Sequence, residues 1–157
     1  NKLQSEISIK KILQNNFLIL RISNIIGAEN NNKKKLHKTF SDIFFETIKL
    51  GLIYKNGDIY KDFISIKKFC EITHALIKKN SYGVFNVSIG KKIYIDKVIK
   101  WLNFYNNKKV KFINMKSTFN NESFTLNNDK LMKIIKIKNS INDLRKECLI
   151  ISKNFFT

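Results

Sequence analysis

The run Leu18-Ile19-Leu20-Arg21-Ile22-Ser23-Asn24-Ile25-Ile26-Gly27 constrains this chain more than any other. Phe17 to Ile22 is apolar apart from Arg21, as expected of a strand buried on both faces of a sheet. It then meets a polar Ser-Asn pair and stops at a glycine. Before it, Lys2 to Asn15 has helical spacing, with Leu3, Ile7, Ile12 and Leu13 near one side, and Asn15-Asn16 breaks the pattern. A helix followed by a buried strand with a polar exit belongs to an open α/β sheet, which receives ligands at the carboxyl ends of its strands.

The remaining segments keep that alternation. Leu36 to Leu50 is an amphipathic helix, with Gly51 as its C-cap. Leu52–Lys55 and Asp58–Lys61 flank Asn56-Gly57, a pair that favours a tight type I′ turn, so a β-hairpin is predicted here. Asp62-Phe63-Ile64-Ser65-Ile66 leads into a helix from Ile66 to Lys79. Gly83 to Ser88 is a second buried strand, and Ile95 to Tyr105 a further helix. Val110 to Met115 is strand-like. Asn127-Asn128 caps a helix running to Ile135, and Ser140 caps a last one from Ile141 to Lys153. No internal repeat or linker interrupts the order.

Composition removes some classes. No run of 18 apolar residues exists, so no membrane span is expected. Lys10 and Lys11 interrupt the only run that a signal peptide could use. Cys70 and Cys148, the only cysteines, do not make a disulfide framework, and a cytoplasmic location is expected. The formal net charge of +18 suggests nucleic acid at first sight. Yet of the 30 Lys and Arg residues only Arg21 and Arg145 are arginine, and Asn, Ile and Phe abound while Pro is absent. That is the signature of A/T-rich codons, and grooves that bind nucleic acid favour arginine's planar fork. Codon bias therefore accounts for the charge better than a polyanionic partner does. The rival reading, a basic nucleic-acid-binding domain, predicts lysines gathered on one face with aromatics among them. Here they are spread along the whole chain.

Several segments, in order, resemble the C-terminal half of the extended short-chain dehydrogenase/reductases, the NAD-dependent epimerase/dehydratase proteins acting on nucleotide sugars. Lys2 followed by Glu6 resembles the end of that family's Tyr-x-x-x-Lys motif. Leu20-Arg21-Ile22-Ser23-Asn24-Ile25-Ile26-Gly27 is similar to its Leu-Arg-Pro-x-Asn-Val-Tyr-Gly strand. Lys61-Asp62-Phe63-Ile64-Ser65-Ile66 resembles its Arg-Asp-Phe-Ile-x-Val element, and Gly83 to Gly90 its Gly-x-Tyr-Asn-Val-Gly-x-Gly strand. The resemblance implies an α/β fold: the C-terminal part of a Rossmann-like parallel sheet plus a small α/β substrate-binding lobe. It divides the chain into 1–27 (last helix and strand of the core), 28–61 (a lobe segment with the hairpin), 62–90 (helix and strand returning to the core) and 91–157 (the C-terminal substrate lobe). It implies NAD or NADP as cofactor, a nucleotide-sugar substrate, hydride transfer at a sugar carbon, and a homodimer to which the first helix contributes. Bacterial surface-polysaccharide synthesis is the pathway it suggests.

There are departures. The family's Tyr would stand four residues before Lys2. Gly27, Gly51, Gly57, Gly83 and Gly90 offer no Gly-x-x-Gly-x-x-Gly turn. Ile22 stands for the usual Pro, Lys61 for a frequent Arg, and Lys67 where Asp is common. With no initiator Met, the chain is expected to be the C-terminal part of something longer and inactive by itself. A degenerate homologue that binds a sugar nucleotide without turnover is the other reading of these departures.

By the same resemblance, Lys2 would bind the cofactor ribose and lower the pKa of the tyrosine, since a nearby cation favours phenolate. The alternative is a solvated helix lysine. Asn24 can donate to and accept from a sugar hydroxyl or phosphate, or else can hold a local turn. Lys61 would pair with the diphosphate, or be an exposed lysine ending the hairpin. Asn86 would face the substrate, or satisfy backbone groups. Cys70 and His74 lie four apart on a helix, but no second pair completes a metal site. Trp101, among Val98, Ile99 and Leu102, is expected in the core.

Overall fold

The computed structural model describes residues 1–27, 40–55, 59–114 and 123–157. In chain order the elements are α1 (Lys2–Leu13), β1 (Leu18–Ile22), β2 (Asn24–Ile26), α2 (Phe40–Lys49), β3 (Leu52–Lys55), β4 (Tyr60–Lys61), β5 (Phe63–Ser65), α3 (Ile66–Lys78), β6 (Gly83–Val87), β7 (Ile93–Tyr94), α4 (Ile95–Leu102), β8 (Lys111–Asn114), α5 (Asp129–Ile134) and α6 (Ile141–Phe156).

The backbone of the fold is a parallel crossover. β1 pairs in parallel with β6, Leu18 against Gly83 through Ile22 against Val87. Past Ser23 the same strand direction continues as β2, which changes neighbour and pairs in parallel with β5, Asn24 against Phe63. β5 then feeds α3, and α3 returns the chain to β6. Ser65 caps α3 by accepting from the Lys68 amide at 3.2 Å. Leu18, Leu20, Phe85 and Val87 pack with Ile72 and Leu76 of α3 and with Leu131 and Ile135, forming one core under this sheet. A second core joins α2, α4 and α6, with Phe44, Phe45, Ile48, Val98, Trp101, Leu102, Leu144 and Ile151. Trp101 is therefore packed as expected.

Gly27 ends β2 because nothing larger fits. An added Cβ would come within 2.5 Å of Ile66 Cγ2, at the start of α3. Ser140 and Asp143 form a reciprocal capping box that starts α6. α5 starts differently from expectation. Asn128 sits at its N-cap position without capping, and donates instead to the Ser88 carbonyl at 2.9 Å. Asn127 Oδ1 accepts from the Asp129 amide at 2.9 Å in its place.

Other expectations are corrected. The Asn56-Gly57 turn lies outside the described residues, and among the described residues its flanking strands pair elsewhere rather than with each other. β3 pairs in parallel with β8, and β4 pairs antiparallel with β7. The long-range partners win because they bury Ile53, Phe63 and Ile93 in a shared core, which an isolated two-stranded ribbon cannot do. β1 is not buried on both faces: Arg21 and Ile22 are exposed. α1 buries no side chain at all, and Ile12 is 77% exposed. The helix assigned to Ile95–Tyr105 stops at Leu102. No helix among the described residues is long and apolar enough to cross a membrane.

Candidate functional site

The carboxyl end of the parallel strands gathers several of the residues singled out above. Asn24 opens β2, where the strand leaves β6 for β5. Its backbone N–H and its side-chain Nδ2 both donate to the Asp62 carbonyl, at 3.2 and 3.0 Å. The Asn24 amide is thereby turned toward β5, and its Oδ1 accepts from no described residue. Lys61 precedes Asp62 directly, so it lies one residue from the carbonyl that Asn24 binds. Lys61 Nζ lies 5.0 Å from the centre of the Phe124 ring, a cation–π distance. Asn86 lies opposite Arg21 on β6, and its Nδ2 donates to the Asn127 carbonyl at 2.7 Å. That bond ties the approach to α5 onto the sheet. The arrangement thus ties Asn24 to the residue next to Lys61 and commits Asn86 to the neighbouring segment.

Asp62 organises this edge, and its role was not read from sequence. It is fully buried and accepts from the Gly90 amide, at 3.2 Å to Oδ1 and 3.1 Å to Oδ2, and from the Leu126 amide at 3.0 Å. It joins the strand bearing Lys61 to the turn after β6 and to the segment before α5. Burial pushes its carboxyl above the ordinary aspartate value, while the amides and the Ser88 hydroxyl pull it back. Gly90 is held close, with φ of 73°, and an added Cβ would come within 2.8 Å of Asn128 Oδ1. The signal in the sequence was a lone acid beside an apolar strand, a position where a carboxylate must find donors.

Lys2 begins α1, whose N-terminus is capped by the Asn1 side chain accepting from the Leu3 amide at 3.1 Å. A lysine in the first turn opposes the helix dipole, so helix stability does not explain it. Lys2 makes no hydrogen bond or ion pair among the described residues. The next residue on its face, Glu6, does. Arg21 of β1 donates Nε to Glu6 Oε1 at 2.9 Å and a terminal nitrogen to Oε2 at 2.7 Å. This fork lowers the Glu6 carboxyl below the usual range and raises the Arg21 guanidinium further.

Other chemistry is sparse. Burial pushes the Cys148 thiol up to about 12, which makes it inert. Cys70 is exposed on α3, and among the described residues no three His, Cys, Asp or Glu side chains could hold a metal. An open depression lined by Asn16, Phe17, Leu18, Ile77 and Tyr82 lies at the amino end of β1, away from Asn24. Ser23, between β1 and β2, is buried and its hydroxyl has no partner among the described residues.

No protein-family model matches the sequence. No curated protein matches it either. Solved structures do. The UDP-N-acetylglucosamine 4-epimerase from Methanobrevibacter ruminantium M1, in complex with UDP-N-acetylmuramic acid, is similar over 97% of this chain and 50% of its own, with a TM-score of 0.70 at 20% identity. RMD from Pseudomonas aeruginosa, complexed with NADPH, is similar over 95% of this chain and 50% of its own, with a TM-score of 0.70 at 13% identity. The dTDP-glucose 4,6-dehydratase from Bacillus anthracis, in complex with NAD, is similar over 96% and 48%, with a TM-score of 0.68 at 13% identity. This chain spans about half the length of each. Its parallel crossover and the lobe beyond it have the fold of the C-terminal half of the NAD-dependent epimerases and dehydratases.

Proposed function

We propose that this chain is the substrate-binding half of an NAD(P)-dependent enzyme that performs hydride transfer at a carbon of a nucleotide sugar, as an epimerase, dehydratase or reductase. The observation that carries the reading is the likeness over nearly the whole chain to nucleotide-sugar enzymes of twice its length. It is supported by the place of Asn24, just past the carboxyl end of β1, where such folds receive ligands, and by its hydrogen bonds to Asp62, the residue after Lys61.

Each residue has a physical part. Lys61 offers a point charge to the diphosphate, held near Phe124 rather than swinging freely. Asn24 offers a carbonyl oxygen to a sugar hydroxyl while its amide nitrogen stays bound to Asp62. Asn86, tied to Asn127, shapes the neighbouring wall. Lys2, unpaired and exposed, fits a ribose hydroxyl and favours the ionised form of a neighbouring phenol. A bound nicotinamide cofactor would supply the hydride acceptor. The described residues offer it only this lysine, since the phosphate-binding glycine turn is not in this sequence. The homodimer, the cytoplasmic location and the surface-polysaccharide role belong to the same reading.

The test is titration of UDP-N-acetylglucosamine into the chain, followed by backbone amide resonances. Shifts concentrated at Asn24, Lys61 and Gly90 are expected, with affinity weakened roughly tenfold in Lys61→Ala, the loss of one charge-assisted contact. An absence of localised shifts at millimolar ligand would overturn the substrate assignment.

A further inference from the structure

α1 leads into β1 through a short connection, residues 14–17, and the contact between Glu6 and Arg21 requires the chain to double back there. Two elements joined this way can still slide along each other, and here burial does little to stop it, because α1 buries no side chain. The polar contact is different. Among the described residues, the only side-chain hydrogen bonds from α1 to another element are the two that Arg21 gives to Glu6. A bidentate guanidinium–carboxylate pair fixes direction as well as distance, because both groups are planar. Lys2 stands one helical turn before Glu6, on the same face. One turn advances the helix about 5.4 Å, and about two residues of strand cover the same distance. With the chain doubling back, ideal spacing from the fork at Arg21 would bring Lys2 about level with Ser23. A one-turn slip would carry Lys2 off the carboxyl edge.

We propose that Arg21 is a positioning residue: by gripping Glu6 it sets the height of α1 against β1 and holds Lys2 at the edge where Asn24 begins β2. The functional meaning of that position rests on the reading of Lys2 given above.

The first arm of the test needs only this chain. A nitroxide is placed on Lys2→Cys, with the exposed Cys70 changed to Ser, and paramagnetic broadening of backbone amides is recorded. Broadening is expected at the amides of Ser23 to Ile25. It should fall in Arg21→Met and in Glu6→Gln, return in the charge-reversed pair Glu6→Arg with Arg21→Glu, and return only in part in Arg21→Lys, which lacks the fork. Unchanged hydrogen-exchange protection in β6 and α3 shows that the fold persists. Should Arg21→Met alone unfold the chain, Glu6→Gln, on the helix surface, carries the same comparison. Broadening that persists in Arg21→Met or Glu6→Gln overturns the proposal.

The second arm uses the enzyme assembled with a dinucleotide-binding half. Arg21→Met is expected to raise the KM for the cofactor about tenfold, the scale on which misplacement of a binding group acts, with recovery in the charge-reversed pair. If Lys2→Ala impairs the enzyme and Arg21→Met does not, the positioning role is refuted and the function stands. If Lys2→Ala is also silent, the functional reading itself fails.

Discussion

At Asp62 and at Gly27 a single residue decides the local structure. Asp62 takes up part-buried amides of Gly90 and Leu126 that would otherwise lose their acceptor. Asp62→Ala should cost about 2 kcal/mol in urea unfolding, the usual penalty for orphaned buried donors. The pH dependence has a definite sign. Burial raises the folded value above the ordinary 3.8, so the folded chain holds this proton more tightly than the unfolded chain. The stability that protonation contributes is complete below 3.8 and is lost as pH rises through the folded value. The gap between wild type and Asp62→Ala should therefore narrow as pH rises across that window; a gap that widens would contradict the assignment. Gly27→Ala is expected to cost about 1–3 kcal/mol, read by thermal melting, because Ile66 is β-branched and cannot turn away. Asn24 could be picked out from sequence by its place at a strand exit, and Lys61 by the resemblance of Lys61–Ile66 to an Arg-Asp-Phe-Ile-x-Val element. Asp62 could not be assigned its role, because its donors come from positions far along the chain.

At the scale of elements, local signals were reliable where the stabilising contacts are local. Ser140 is one case: its capping box with Asp143 is written in residues three apart. Ser140→Ala should destabilise the chain by about 1 kcal/mol. Hydrogen bonding from Ser140 holds the Asp143 carboxyl below the usual range, so this contribution is present above the ordinary 3.8 and is lost as pH falls through the folded value. Chemical denaturation of wild type and Ser140→Ala between acid and neutral pH measures it, with the two expected to converge at the acid end. The hairpin shows the opposite case. Asn56-Gly57 favours a tight turn, but turn preference is worth little against the burial of Ile53 and Ile93 by distant strands. Edges differ in the same way. Lys130 Nζ donates to the Val84 carbonyl at 3.0 Å and blunts the outer edge of β6. No comparable group among the described residues covers the free edge of β1.

Across the whole molecule, stability is unevenly distributed. The two cores lie under α3 and between α2, α4 and α6, while α1 stands outside both. Native-state hydrogen exchange of the isolated chain should therefore show α1 amides exchanging early and those of β6, α3 and α4 late. Early loss of protection in α3 or α4 would contradict this order. The bare side of β1 and the exposed apolar residues of α1, with Leu3 58% exposed, agree with a fold that is half the length of its structural relatives. The sequence by itself determined the alternation of helices and strands, the capping box at Ser140, and the exit of β1, because periodicity and capping act within a few residues. Tertiary structure alone decided which strands pair, that Asp62 links the edge together, and that Arg21 grips Glu6. Those outcomes depend on burial and hydrogen bonding between residues distant in sequence, and no local pattern encodes their energy.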